Sequence, residues 1–183
     1  MMPEISLNIL DVAQNSVTAG ASLTEIDVIA DRPADTLEVV IRDDGRGMTP
    51  EQAERAADPF FTTRTTRKVG LGIPFLKMAA ELTGGSFGIE SAPGKGTIIR
   101  SVFGLTHIDR MPMGDLAGTM TALIGPNPDI DFILRYRVDL NGFELDTREM
   151  RSILEGVPLS EPEVLGYITG FINENIEAAG ERL

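Results

Sequence analysis

Short polar clusters in this sequence have the residue types and spacing to handle a charged ligand. In "LNILDVAQNSVTAGAS", residues 7–22, Asn8, Asp11 and Asn15 fall three and four positions apart. On an α-helix that spacing brings them to one face. Two amides and a short carboxylate are oxygen ligands suited to a hard cation such as magnesium, which keeps several of its waters. In "DDGRGM", residues 43–48, Asp43 ends a β-type run and is followed by Gly45 and Gly47. Glycines let the backbone approach a ligand closely while the carboxylate receives a proton donor. In "RKVGLG", residues 67–72, glycines open a helical segment. Unpaired N–H groups and the positive end of the helix dipole favour phosphate there. Arg64, Arg67 and Lys68 concentrate positive charge beside it in a chain of net charge −12. A last stretch, "GKGT", residues 94–97, opens another β-type run.

The elements that must position these groups follow from periodicity. Ile9, Leu10, Ala13 and Val17 give a helix over 5–19, with Gly20 as its stop. "TEIDVIA" (24–30) and "TLEVVIRD" (36–43) alternate as half-buried strands across the turn-rich "DRPAD". "TPEQAERAA" (49–57) has a Thr cap, Pro at the first helical position and early carboxylates. A loop with four threonines, two arginines and a lysine follows, "TTRTTRK" (62–68). The spacing then predicts a helix over 70–85, with Pro74 in its first turn, and a hairpin of 86–91 with 96–104 across "APGKG". The order α-β-β-α-loop-α-β-β predicts an α+β fold, an α/β sandwich whose mostly antiparallel sheet carries helices on one face.

Past residue 104 the texture changes, so the chain divides into 1–104 and a C-terminal extension, 105–183. In the extension we expect a helix over 115–125, a strand over 129–138, and a second strand over 140–145 with Asn141-Gly142 as the hairpin signal. Two closing helices follow, each introduced by a Thr or Ser cap. Val164, Leu165, Ile168, Phe171, Ile172 and Ile176 give the last one a broad apolar face. That face is expected to cover the chain's own core; a partner or a homodimer is the alternative use.

Composition narrows the classes. A net charge of −12 argues against a nucleic-acid partner, which needs clustered Lys and Arg, and against an anionic membrane surface. The chain has no cysteine and one histidine, which excludes thiolate sites, disulfides and His clusters. No apolar run approaches the roughly 18 residues of a membrane span. With no signal peptide visible, a cytoplasmic protein is expected.

Taken in order, the helix asparagine, strand-end DxGxG, basic loop, GxG helix start and strand-opening GT resemble the GHKL ATP-binding family. That family includes gyrase B, the ninety-kilodalton heat-shock chaperone, sensor histidine kinases and MutL. The resemblance covers roughly residues 5–104; "DPFFTTR", "GLGI" and "GKGT" look like its histidine-kinase branch, and "LDVAQNSVTAGAS" like its MutL and gyrase branch. It implies a Bergerat-type sandwich that binds ATP with Mg²⁺. Asn15 matches the asparagine that holds Mg²⁺ against the triphosphate, and Asp43 the aspartate that accepts from the adenine amino group. Gly45 and Gly47 would shape the adenine pocket, with Met48 against the base. Gly70, Leu71 and Gly72 match the loop that closes over the phosphates, and Thr97 the threonine that supports Asp43 and a water. "TTRTTRK" occupies the place of the mobile lid, which makes Arg64, Arg67 and Lys68 the candidates for the γ-phosphate. The family carries another glycine where Lys68 stands, which implies a stiffer lid hinge.

Asp11 stands where hydrolysing members place a water-activating glutamate and many histidine kinases an amide. A base must reach its water directly or through a second one; Asp11 is a candidate for that task or for holding the metal's water shell. His107 lies in "LTHIDRM", a connector without helical periodicity, and reads as an incidental polar residue. With few residues ahead of the first helix, a phosphoacceptor is expected on an unidentified partner protein. The expected function is a stand-alone kinase acting in trans, positioning the γ-phosphate with Mg²⁺ and lid cations. The alternatives are a slow ATPase switch with Asp11 as base and a non-hydrolysing ATP sensor.

Overall fold

The computed structural model describes residues 4–58, 71–180 and 183. Its order is α1 (Ile5–Thr18), β1 (Leu23–Asp31), β2 (Thr36–Asp43), α2 (Pro50–Ala56), α3 (Gly72–Leu82), β3 (Ser86–Ser91), β4 (Thr97–Gly104), α4 (Leu116–Ile124), β5 (Asp131–Val138), β6 (Asn141–Asp146), α5 (Thr147–Leu154) and α6 (Pro162–Ala178). One six-stranded sheet runs β3-β4-β2-β1-β5-β6. β5 lies parallel to β1, and the other neighbours are antiparallel. This is the expected α+β sandwich.

Strand alternation separates the two faces of the sheet. Ile26, Val28, Leu37, Val39, Ile41, Ile99, Phe103, Phe132, Leu134 and Tyr136 join one buried cluster with residues of α1, α3, α4 and α6. Burying each such side chain contributes about 1.5–3 kcal/mol, which is why the helices stack on that side. The opposite face carries ion pairs: Arg135 reaches Glu25, Asp27 and Glu144, and Arg42 reaches Asp27. A charged, self-neutralised face needs no covering layer. Residues 105–183 therefore lengthen the sheet by two strands, and Ile168, Ile172 and Ile176 of α6 are buried in the shared cluster.

Several expectations shift. The third helix begins at Gly72 and stops at Leu82, because Gly84 takes φ 74° and the Thr83 hydroxyl bonds back to the Ala80 carbonyl. The β5–β6 turn is Asp139-Leu140 rather than Asn141-Gly142, since Val138 pairs with Asn141; Asp139 supplies the left-handed φ of 54°. The closing helices lack Thr or Ser caps. Asp146 caps α5 through the Arg148 N–H, while Thr147 is buried and accepts from the Phe132 N–H. Glu161 stands at the start of α6 with no side-chain cap. α2 matches its signals in full, with a Thr49–Gln52 capping box and Pro at the first turn.

Candidate functional site

α1 forms because Ile5, Ile9, Val12 and Ala13 put an apolar stripe on the core. Its first N–H groups are met by the connector, Ile5 N–H by Pro112 O and Ser6 N–H by Met113 O. The polar row on α1 does not behave as one surface. Asn8 is 1% exposed and donates to the Glu4 carbonyl at 3.2 Å, with its Oδ1 buried and unpartnered. It is no part of a solvent-facing cation site. Asp11 is half-buried and Asn15 exposed, so the accessible pair is Asp11 and Asn15, one turn apart.

α3 begins against Asp11. A Cβ built on Gly72 would lie 2.6 Å from Asp11 Cβ and 3.3 Å from its Oδ2. Only a glycine lets α3 start this close. Leu71 occupies the cap position without a side-chain hydrogen bond, and the first helical bond runs from Phe75 N–H to Leu71 O. Among the described residues no side chain caps this helix start, and its positive dipole end sits beside the α1 carboxylate. Burial pushes the Asp11 carboxyl above its ordinary value.

Of the two adjacent aspartates, the fold turns Asp43 to α1 and Asp44 away. Asp43 Oδ2 accepts from the Ser16 hydroxyl at 2.7 Å, and Oδ1 from the Gly45 N–H at 2.9 Å. Asp44 instead holds the α1–β1 link, accepting from the Ser22 and Leu23 N–H groups and the Ser22 hydroxyl. Burial pushes the Asp44 carboxyl up, but these hydrogen bonds prevail and leave it below its ordinary value.

The glycines after Asp43 are packed from both sides. Gly47 takes φ 67°, and a Cβ there would come 1.9 Å from the Ala92 carbonyl; Gly94 N–H donates to Arg46 O at 2.7 Å. The loop is thus laid on the β3–β4 turn, with Met48 half-buried at its end. Thr97 pairs with Asp43 across β2–β4, but the partner of its hydroxyl is Ser91 Oγ at 2.9 Å. The hydroxyl on Asp43 comes from Ser16, a residue sequence reasoning passed over. Its only signal was a small hydroxyl following Asn15. Beside Asp43 in the same cross-strand row lies Thr24, wholly buried, with Oγ1 unpartnered.

The structure therefore brings Asp11, Gly72, Asn15, Ser16, Asp43, Gly45, Gly47, Met48 and Thr97 around one end of the α1–β2–α3 assembly. Arg64, Arg67, Lys68 and Gly70 lie outside the described residues. Among the described residues, no cluster of His, Cys, Asp and Glu is arranged to hold a metal by itself. A cation here would depend on the Asn15 amide, with Asp11 near it, and on the ligand's own oxygens.

A family model described as histidine kinase-, DNA gyrase B-, and HSP90-like ATPase matches residues 4–107, more than half of the chain. The chain belongs to this family. A putative NtrY-like sensor histidine kinase of Rickettsia typhi is 30% identical over 105 residues, covering 57% of this chain and 17% of that protein. The histidine protein kinase DivJ of Caulobacter vibrioides is 32% identical over 102 residues, covering 54% and 17%. The chain thus spans less than a fifth of the length of these relatives. Among solved structures, the N-terminal domain of a DNA repair protein shares the fold at TM-score 0.54 and 14% identity, over 79% of this chain and 52% of that one. Such coverage exceeds what residues 4–107 supply, so the shared fold continues into the C-terminal section. The mycobacterial sensor histidine kinase MprB aligns at TM-score 0.42 and 24% identity, over 52% and 68%.

The residues present suit the nucleotide that this family binds. Asp43 keeps carboxylate lone pairs beyond those used by Ser16 and Gly45, and α3 offers an N-terminus that no side chain caps among the described residues. Among the described residues, no helix is long and apolar enough to cross a membrane.

Proposed function

We infer that this chain binds Mg-ATP at the α1–β2–α3 site and passes the γ-phosphoryl group to a residue of another protein. The observation that carries the reading is the Ser16–Asp43 hydrogen bond, 2.7 Å across 27 residues. It fastens the base-reading carboxylate to the helix that bears Asn15. Base recognition and phosphate handling then share one rigid element, and positioning supplies most of the catalysis in phosphoryl transfer.

In this reading Asp43 accepts from the adenine amino group. Gly45 and Gly47 keep the pocket open, and Met48 lies against the ring. Asn15 holds Mg²⁺, which when bound neutralises phosphate charge. The α3 start at Leu71-Gly72, with Gly70 before it, takes phosphate oxygens on its N–H groups. Arg64, Arg67 and Lys68 supply the lid cations. The acceptor's lone pair forms the new bond to phosphorus as the bond to the β–γ bridging oxygen breaks, and ADP leaves with that electron pair. An acceptor on another chain fits His107, the single histidine. It sits in a turn with Nδ1 taken by the Asp109 N–H at 3.2 Å. A cytoplasmic kinase working in trans is the whole-protein form of this proposal.

A second reading, a slow ATPase switch, is favoured by the Asp11 carboxylate placed at the α3 start. Burial holds Asp11 above its ordinary value, which makes it a better base than a free aspartate. Incubation with γ-labelled ATP and Mg²⁺, alone and with lysate, distinguishes the two. Labelled protein that persists in Asp11→Asn supports transfer. Free phosphate that disappears in Asp11→Asn supports the switch. Binding without turnover in either form indicates a sensor, and unchanged Mg-ATP affinity in Asn15→Ala removes the site altogether.

A further inference from the structure

β6 is an edge of the sheet, and among the described residues its one strand neighbour is β5. The phase of β5 fixes which backbone groups of β6 face outward. Asp131 N–H bonds to Ser22 O and Asp139 N–H to Ala30 O, so the odd-numbered residues of β5 turn their N–H and C=O groups to β1. The direction alternates along a strand, so Leu134, Tyr136 and Val138 turn theirs to β6. Their register partners are Leu145, Phe143 and Asn141. Gly142 and Glu144 therefore point their N–H and C=O groups away from the sheet, where none has a partner among the described residues. Natural edges are ordinarily blunted by lysine, proline or a bulge. β6 has no lysine or proline, and its register is unbroken.

The side chains beside this edge suit a second β6. On the helix side, Phe143 stacks on Tyr136 and meets Phe171 edge-on at 5.8 Å; Phe171 stacks in turn on Tyr167, which is 64% exposed. On the other side Glu144 meets Arg135. Arg137 shares that face and stands opposite Gly142. It is exposed and has no carboxylate partner among the described residues. One antiparallel register uses both outward residues: Gly142 opposite Glu144 of the second copy, with the two Phe143 residues facing each other. Placing Glu144 opposite Glu144 brings like charges together. Placing Gly142 opposite Gly142 leaves Glu144 against Leu140, outside the strand.

We propose that two copies of this chain join through β6, edge to edge and antiparallel about a two-fold axis, into a continuous sheet with six strands from each. Each Gly142–Glu144 pair exchanges both of its backbone bonds. Gly142 has no side chain, so Arg137 reaches over it to Glu144 of the second copy. The two Cα atoms are then roughly 10 Å apart, within the combined length of an arginine and a glutamate. The two-fold uses both edges at once, so the assembly closes at two chains. The inference stands apart from the nucleotide reading, because β1 and β5 separate β6 from β2, which carries Asp43.

The test is sedimentation equilibrium of the full chain at concentrations up to about 0.2 mM, in about 0.15 M salt to screen the −12 charge of each copy. Wild type is expected to reach the mass of two chains and go no further. Glu144→Pro removes an outward N–H while leaving the β5 ladder whole, and is expected to be monomeric with an unchanged far-ultraviolet spectrum. Arg137→Glu sets a second carboxylate against Glu144 and raises the dimer Kd about tenfold or more, while Arg137→Lys retains it. These exposed changes serve if the proline variant does not fold. A wild type that stays monomeric overturns the inference, as does a Kd unmoved in either Arg137→Glu or folded Glu144→Pro. Growth beyond two chains refutes the closed pairing.

Discussion

One chemical change, Gly→Ala in a helix, should have opposite signs at different places in this molecule. At Gly72 the added Cβ would meet Asp11 Cβ at 2.6 Å. Carbon atoms rest at about 3.5–4.0 Å, so α1 and α3 must part by about 1 Å. Both carbons are fixed to backbone, and neither can rotate aside. Overpacking of this kind costs about 1–3 kcal/mol, and helix propensity returns at most about 1 kcal/mol. The net is a loss of up to about 2 kcal/mol, or a melting point lower by up to ~8 °C. Gly166 and Gly170 lie inside α6 with nothing within 4 Å of a built Cβ. Alanine at either gains the propensity alone, about 1 kcal/mol, or a rise of about 2–4 °C. Thermal and urea unfolding of the three variants reads both signs. Nucleotide turnover on Gly72→Ala adds a functional arm, expected to fall because the α3 start moves away from Asp11 and Asn15 of α1. A Gly72→Ala protein as stable as Gly166→Ala would refute the close α1–α3 approach and the site built on it.

Three other outcomes are expected. Ser16→Ala removes a charge-assisted hydrogen bond of about 1.5–3 kcal/mol; partial exposure of Asp43 reduces this to about 1–2 kcal/mol, and ATP affinity falls with it. Calorimetry showing wild-type affinity would free Asp43 from dependence on α1. Thr24→Val replaces a buried, unpartnered hydroxyl with a methyl of similar shape, so stability holds or rises by about 1 kcal/mol in denaturant melts; a clear loss would reveal a partner for that oxygen. For Asp11 the raised carboxyl means that the folded protein holds this proton more tightly than the unfolded chain. Its contribution to stability therefore declines as pH climbs above the ordinary aspartate value of about 4. Without ligand, Asp11→Asn should be more stable than wild type at pH 7, with the gap closing below about pH 4; a gap that is flat with pH would contradict the burial of that carboxylate.

Much of the fold was legible because it is written locally. Apolar spacing marked most of the helices and strands, and the Thr49 cap, Pro50 and the early carboxylates marked the start of α2; its capping box with Gln52 came from the structure. Asp43, at a strand end before Gly45 and Gly47, is where the carboxylate and the tight loop are found. Side-chain periodicity and backbone preference act over a few residues, so a single chain displays them.

What the tertiary structure decided is who meets whom. β5 pairs in parallel with β1, 108 positions apart for Leu23 and Asp131, and no local pattern distinguishes that insertion from a separate hairpin. Asn8 and Asn15 have the same helical phase, yet packing buries one and exposes the other. The hydroxyl on Asp43 comes from Ser16 and not Thr97, because strand register places Ser91 next to Thr97 and helix docking brings Ser16 over β2. Hydrogen bonds between distant segments depend on distances that exist only after the sheet and helices have packed. The sequence named the groups, and packing assigned their partners.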